Sequence, residues 1–167
     1  MTPRNLIRAV LAAIGLAGAT LPCAAFAQTA TTPGEARAII ISPINLTSVN
    51  ALDFGTQVAA PQSFTVIVDP AASRTSTSGP GRFTVTGQAN RSYTVALPAS
   101  FNLSASASQV TVSDLTYRFD GATQTGGTGA FDTSGASAFN VGATLTVGPN
   151  QTPGDYRGTY PVTVRYQ

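Results

Sequence analysis

Six aspartates are the residues of this sequence that could most readily do chemistry. Two carboxylates at a suitable distance can serve a glycoside hydrolase, and carboxylate oxygens suit Ca²⁺. Their spacing selects no pair and contains no Asp-x-Asp-x-Asp run, and most stand at strand ends or beside Gly or Pro, where Asp caps its own turn. We therefore expect no catalytic residue, metal site or cofactor. The six are Asp53, Asp69, Asp114, Asp120, Asp132 and Asp155.

The basic residues narrow the possible functions further. The sequence has no histidine, and all nine of its basic residues are arginine. It therefore has no imidazole base or metal ligand, and no lysine for a Schiff base or a phosphate-binding loop. The glycine-rich stretch 121–129 reads as a flexible connection for the same reason. We expect a protein that is not an enzyme.

The first 27 residues predict an export signal. Arg4 and Arg8 precede an apolar run at 9–21, which is too short to span about 30 Å of hydrocarbon as a stable anchor. Ala25-Phe26-Ala27 then offers the small-x-small pattern of signal peptidase sites. A lipoprotein signal at Cys23 is the alternative, but the preceding Leu and Pro match it poorly. We predict a cleaved signal peptide helix at 1–27 and a single domain at 28–167, exported to the periplasm, the cell surface or the medium.

Cleavage would change the charge and the cysteine content of the chain. Arg4 and Arg8 account for the formal net charge of +2, so the chain from residue 28 onward is neutral. A neutral chain gives no reason to expect nucleic acid as a partner. The single cysteine leaves with the signal, so no disulfide is expected, and the remaining sequence has no apolar run that predicts a membrane span.

Alternation of apolar and polar residues predicts β-strands throughout the exported part. The alternating segments are 64–68, 83–86, 93–97, 139–147 and 160–166. In 110–119 the apolar parity changes near Ser113-Asp114, which predicts a bulge or a change of sheet. Short strands between Ser, Thr, Gly and Pro clusters favour an all-β, immunoglobulin-like antiparallel β-sandwich. The expected core residues are Phe54, Phe64, Phe83, Tyr93, Val95, Phe139, Val141, Leu145, Val162, Val164 and Tyr166.

The segment 36–41 departs from this alternation because it is apolar on both faces from Ala38 to Ile41. A strand of this kind is either covered on both sides within its own domain or gives one side to a partner chain. Two interpretations therefore stay open, an ordinary buried first strand and a strand donated to another protein.

Three stretches carry a resemblance to known proteins: 39–55, 83–98 and 139–167. Together they resemble a family of exported bacterial domains known as domain of unknown function 4402, and more distantly the subunits of chaperone-assembled pili. The resemblance implies an immunoglobulin-like sandwich, export, and no known catalytic residues. In pilus subunits, an N-terminal extension of one subunit completes the sheet of the next, and a chaperone holds the C-terminal strand meanwhile.

Carried over to this sequence, the resemblance implies two candidate partner strands. The second of these strands, 160–166, contains Pro161. Proline has no N–H to donate, so it is found in edge strands, and Pro161 therefore agrees with an edge position. The candidate donor residues are Ala36, Ala38, Ile39, Ile40 and Ile41, and the candidate chaperone-held residues are Tyr160, Val162, Val164 and Tyr166.

These observations lead to one main functional hypothesis. We expect a non-enzymatic structural or adhesive cell-surface protein, of the fimbrial or pilin-like kind, that acts by β-strand pairing. Its partners would be further copies of itself, or a periplasmic chaperone and usher. The alternative is a monomeric periplasmic or surface module that binds carbohydrate or another envelope polymer, and a hydrolase using two aspartates is a third hypothesis.

Overall fold

The computed structural model describes residues 30–120 and 127–167. The predicted signal peptide at 1–27, with its helix and Cys23, lies outside the described residues. The chain divides into two units, Met1–Ala38 and Ile39–Gln167. In the first unit, residues 30–38 form no helix or strand and are exposed. All described strands belong to the second unit.

The described part of Ile39–Gln167 consists of β-strands without a helix, and every strand pair is antiparallel. The prediction of an all-β fold is therefore confirmed. Within these residues, no helix is long and apolar enough to cross a membrane. The strands are β1 (Asn45–Asn50), β2 (Phe64–Val68), β3 (Gly81–Thr86), β4 (Ser92–Ala96), β5 (Ser100–Ala105), β6 (Ser108–Phe119), β7 (Thr128–Ala130), β8 (Ala136–Val147) and β9 (Thr163–Tyr166).

Six strands form a large sheet around β8. Its order is β1-β3-β8-β6-β5, and β2 also pairs with β8. Because β6 occupies one edge of β8, β2 and β3 share the other edge, β2 opposite 143–147 and β3 opposite 136–141. They follow one another along β8 like a single strand that residues 69–80 interrupt. The small sheet has the order β7-β4-β9.

Gly142 of β8 lies opposite the interruption between β2 and β3. A Cβ atom at this position would overlap the carbonyl oxygen of Val68 and lie 2.5 Å from Cδ of Pro70, so only glycine fits. On the other side of β8, the register of β6 shifts between Ser113 and Thr116, and Asp114 has a φ of 52°. This shift marks a bulge, which locally bends and twists its strand. The bulge that was predicted from the change of parity near Ser113-Asp114 is therefore confirmed.

Two apolar clusters lie on either side of Gly142 along β8. In the first, Tyr93 and Val95 of the small sheet pack with Phe83 and Phe139 of the large sheet. The second is formed by side chains of β2, β6 and β8 and includes Phe54 from the loop before β2. Of the predicted core residues, most are buried, and four are half-buried: Phe64, Val162, Val164 and Tyr166.

The observed strands agree with the predicted ones to different degrees. The bounds of β2 are those predicted, whereas β9 is shorter than the predicted 160–166. β1, β5 and β7 were not predicted from the sequence. Residues 36–41 form no strand, so the interpretation as a buried first strand is wrong: β1 begins at Asn45.

Candidate functional site

The two sheets end in strands that pair on one side only. Among the described strands, β1 pairs only with β3, and β9 pairs only with β4. Half-buried apolar side chains of both edges pack against the first core cluster, and these side chains are themselves incompletely covered. We call this place the β1–β9 seam. Its apolar side chains are Ile44, Leu46, Val162, Val164 and Tyr166.

The ladder between β4 and β9 shows which main-chain groups of β9 remain without a strand partner. The N–H of Gln167 donates to the carbonyl oxygen of Ser92 at 3.1 Å. In an antiparallel ladder, hydrogen-bonded pairs alternate with pairs whose main-chain groups point away from each other. The register therefore directs the N–H and C=O groups of Val164 and Tyr166 away from β4, towards the open side of β9.

One end of the seam is fastened by a cluster of three residues. The hydroxyl of Tyr166 accepts a hydrogen bond from the backbone N–H of Gln88 at 2.6 Å and donates one to the carbonyl oxygen of Ser42 at 2.7 Å. The side-chain oxygen of Gln88 accepts from the N–H and from the hydroxyl of Ser42, at 3.3 and 3.4 Å. The cluster fixes the point at which the chain enters the seam before β1.

Tyr160 lies outside β9, and its ring packs against other aromatic side chains of the domain. Its ring stacks on Phe101 at a centroid distance of 4.8 Å and contacts the edge of Phe83 at 6.3 Å. Burial raises the pKa of Tyr160 to about 12, because an ionised phenol would lose its hydration there. Of the four residues predicted for the C-terminal strand, Val164 and Tyr166 lie in β9, whereas Tyr160 and Val162 precede it.

The candidate donor residues lie on the surface. Ala36 and Ala38 are exposed, Ile39 is 66% exposed and Ile40 is 95% exposed, while Ile41 is half-buried. Ile39 and Ile40 thus leave adjacent apolar side chains in contact with water. Their pairing with a partner chain stays a prediction.

The six aspartates do not meet in one place. Asp53, Asp69 and Asp132 accept hydrogen bonds from backbone N–H groups two residues further on, at 2.7–2.9 Å, which confirms the predicted turn caps. The hydrogen bonds from Ser134 and Ala136 hold the pKa of Asp132 below its usual value. Asp120 and Asp155 pair with Arg82 and Arg157 on the surface. Within the described ranges, no three His, Cys, Asp or Glu residues lie close enough together to hold a metal ion.

Ser42 and Gln88 were not predicted from the sequence. Their contact spans 46 positions, and the one between Ser42 and Tyr166 spans 124. No local pattern indicates such partners, because serine and glutamine are common at exposed positions.

Comparison with protein families gives a match that covers most of the chain. A family described as "Domain of unknown function (DUF4402)" matches residues 44–166, a range that begins just before β1 and includes β9. No curated protein matches the chain.

Proposed function

The chain belongs to the family described as domain of unknown function DUF4402, and from the geometry of the seam we propose a function for it. The protein is an exported, non-enzymatic structural or adhesive component of the cell surface, of the pilin-like kind. It acts by accepting an extended strand of a partner along the β1–β9 seam. The observation that carries this proposal is the open main-chain edge of Val164 and Tyr166 beside half-buried apolar side chains.

The strand order supports an immunoglobulin-like fold, which is a more specific description than the all-β class. Constant-type immunoglobulin domains have strands A, B, E and D in one sheet and C, F and G in the other. The sheets of this protein correspond to this order, with β1-β3-β8-β6 as A-B-E-D and β4-β9 as C-F. Beside β9, the position of strand G has no occupant among the described strands. The proposed fold is thus an immunoglobulin-like sandwich that a partner strand completes.

The physical basis of the proposed binding is β-augmentation. Main-chain hydrogen bonds supply affinity, and alternate side chains enter pockets between the sheets. In the seam, a partner strand would form hydrogen bonds to the main chain of Val164 and Tyr166 and cover the half-buried side chains beside them. Each Å² of apolar surface removed from water would contribute about 25 cal/mol to the free energy of binding.

The segment 36–41 of another copy has the composition that such a strand needs. Ile39 and Ile41 stand on one face of an extended chain, and both faces are apolar from Ala38 onward. A periplasmic chaperone strand is the other occupant that this proposal accommodates. Both would use the same hydrogen-bonding edge of β9.

A pair of proline variants tests the proposed edge. Val164→Pro removes an N–H that points to the open side, whereas Arg165→Pro removes one that bonds to β4. We expect a fluorescent peptide of residues 34–43 to bind the full chain, and Val164→Pro to weaken this binding at least about tenfold while the fold persists. Arg165→Pro should instead lower the unfolding temperature.

Two controls check the sequence specificity of the peptide and the folding of the variant. A peptide with Asp in place of Ile39 and Ile41 should not bind, because a buried carboxylate is costly. Circular dichroism verifies that the Val164→Pro variant is folded. Equal binding of the peptide to the wild type and to folded Val164→Pro would refute the proposed edge.

The carbohydrate-binding alternative has less support in the geometry. Sugar platforms commonly offer an exposed aromatic ring, and in residues 30–120 and 127–167 every Phe and Tyr is buried or half-buried. A glycan array probed with the monomer tests this alternative directly, and a specific signal would favour it over strand pairing.

A further inference from the structure

A second open edge lies on β2, in the large sheet and apart from the seam. β2 pairs with β8 on one side, and no described strand pairs with its other side. Natural edge strands usually carry charges, proline or a bulge that prevents pairing with another chain. Phe64–Val68 has no charge and no proline, and its register with β8 is continuous. The edge of β5 is different, since Arg157 covers it by pairing with Ser104.

The side chains of this edge are unusually apolar for a solvated position. Ile67 points to the outer face of the large sheet and is 72% exposed. Its neighbours across the outer face are Thr144 of β8 and Ser113 of β6, so a hydroxyl would be the expected side chain there. In the loop before β2, Val58 is 81% exposed and lines an open cavity of about 520 Å³ together with Phe64.

We propose that β2 pairs with β2 of a second copy of this chain in an antiparallel, two-fold arrangement. A register centred on Val66 places Phe64 opposite Val68 of the second copy and Thr65 opposite Ile67 of the second copy. Residues 54–68 carry no charge, so identical edges approach without repulsion, which is a condition that a self-pairing edge must meet. Ile67 then contacts apolar and methyl groups of the other copy.

The symmetry of this contact separates it from strand donation at the seam. A two-fold contact uses the same patch on both copies and closes at the dimer, whereas donation from one copy to the next continues into an open chain. Two five-residue strands form a small interface compared with the roughly 1,200 Å² or more of stable complexes. The dimer is therefore weak and its population depends on protein concentration.

A lysine at the edge tests the pairing. In Ile67→Lys, two added charges come close across the two-fold axis, and we expect the dimer to weaken at least about tenfold in sedimentation velocity runs over a concentration series. Thr116→Lys is the matched control, since Thr116 is exposed on β6, away from this edge. It should dimerise like the wild type. Circular dichroism checks that both variants are folded.

A cross-link tests the register independently. In a Cys23→Ser background, Val66→Cys should form a disulfide-linked dimer on mild oxidation, because the two-fold register puts these residues opposite each other at a distance that a disulfide can bridge. Thr116→Cys should not. A wild type that stays monomeric at every concentration, or equal cross-linking of the two cysteine variants, would overturn the proposal.

Discussion

The hydroxyl of Tyr166 in the last strand donates a 2.7 Å hydrogen bond to the carbonyl oxygen of Ser42, three residues before the first strand. The same hydroxyl accepts from the N–H of Gln88. One side chain thereby fastens the edges of the two sheets at one end of the seam. Further along β9, the edge has no such fastening among the described residues, and there it presents the main-chain groups of Val164.

Removal of this hydroxyl should loosen the chain before β1. We expect Tyr166→Phe to lower the free energy of unfolding by about 0.5–1.5 kcal/mol, because two main-chain groups exchange a hydrogen bond within the protein for one with water. Thermolysin should also cleave faster at Ile39–Ile41. Tyr156→Phe is a suitable control for the cleavage, since its hydroxyl bonds to Thr152 in a different loop. Unchanged cleavage in Tyr166→Phe would show that the cluster does not hold this segment.

Gly142 should tolerate no side chain. A Cβ there would overlap the carbonyl oxygen of Val68, which is backbone and belongs to the sheet. We expect Gly142→Ala to lower the free energy of unfolding in urea by about 1–3 kcal/mol or more, the cost typical of overpacking. In the control Gly148→Ala, the nearest atom is the side-chain oxygen of Gln151 at 3.3 Å, so the change should be small. Equal effects would mean that the close approach of Val68 and Pro70 does not exclude a side chain at Gly142.

Stability should decrease at alkaline pH because of Tyr160. Its pKa is about 12 in the folded protein and near the ordinary 10.0 when unfolded, so the unfolded chain loses the proton first. The contribution is fully present below pH 10 and is lost as the pH rises towards 12. Tyr160→Phe should remove this part of the pH dependence in denaturant titrations. A tyrosinate absorbance titration that shows no tyrosine ionising late would contradict the assignment.

An opposite dependence is expected at acid pH for Asp132. Hydrogen bonds from Ser134 and Ala136 lower its pKa from the usual 3.8 in the folded state. Its contribution is present above 3.8 and is lost as the pH falls through the lower, folded value. The protection factors of the Ser134 and Ala136 amides, which are their exchange rates by NMR corrected for the intrinsic pH dependence of exchange, should fall there. Asp132→Asn keeps an acceptor oxygen without the titration, and its exchange should lack this acid-dependent change.

Local pattern predicted the parts of the fold that depend on which face a side chain occupies. The alternation from Phe139 to Val147 indicated the central strand β8, and the parity change at Ser113-Asp114 indicated the bulge in β6. β7 was missed because Thr-Gly-Ala has no alternation of its own. It exists because Gly129 leaves room for the ring of Tyr93, a contact between distant parts of the chain.

The sequence by itself determined the all-β class, the turn role of several aspartates and most of the buried residues, because these follow from local hydrogen bonding and from the two-residue period of a strand. The tertiary structure decided which strands pair, and therefore that the outer sides of β1, β2 and β9 have no partner among the described strands. It also brought Ser42 to Tyr166. The reason is physical: strands pair through main-chain groups that nearly every residue carries, so side-chain alternation specifies a face but not a neighbour.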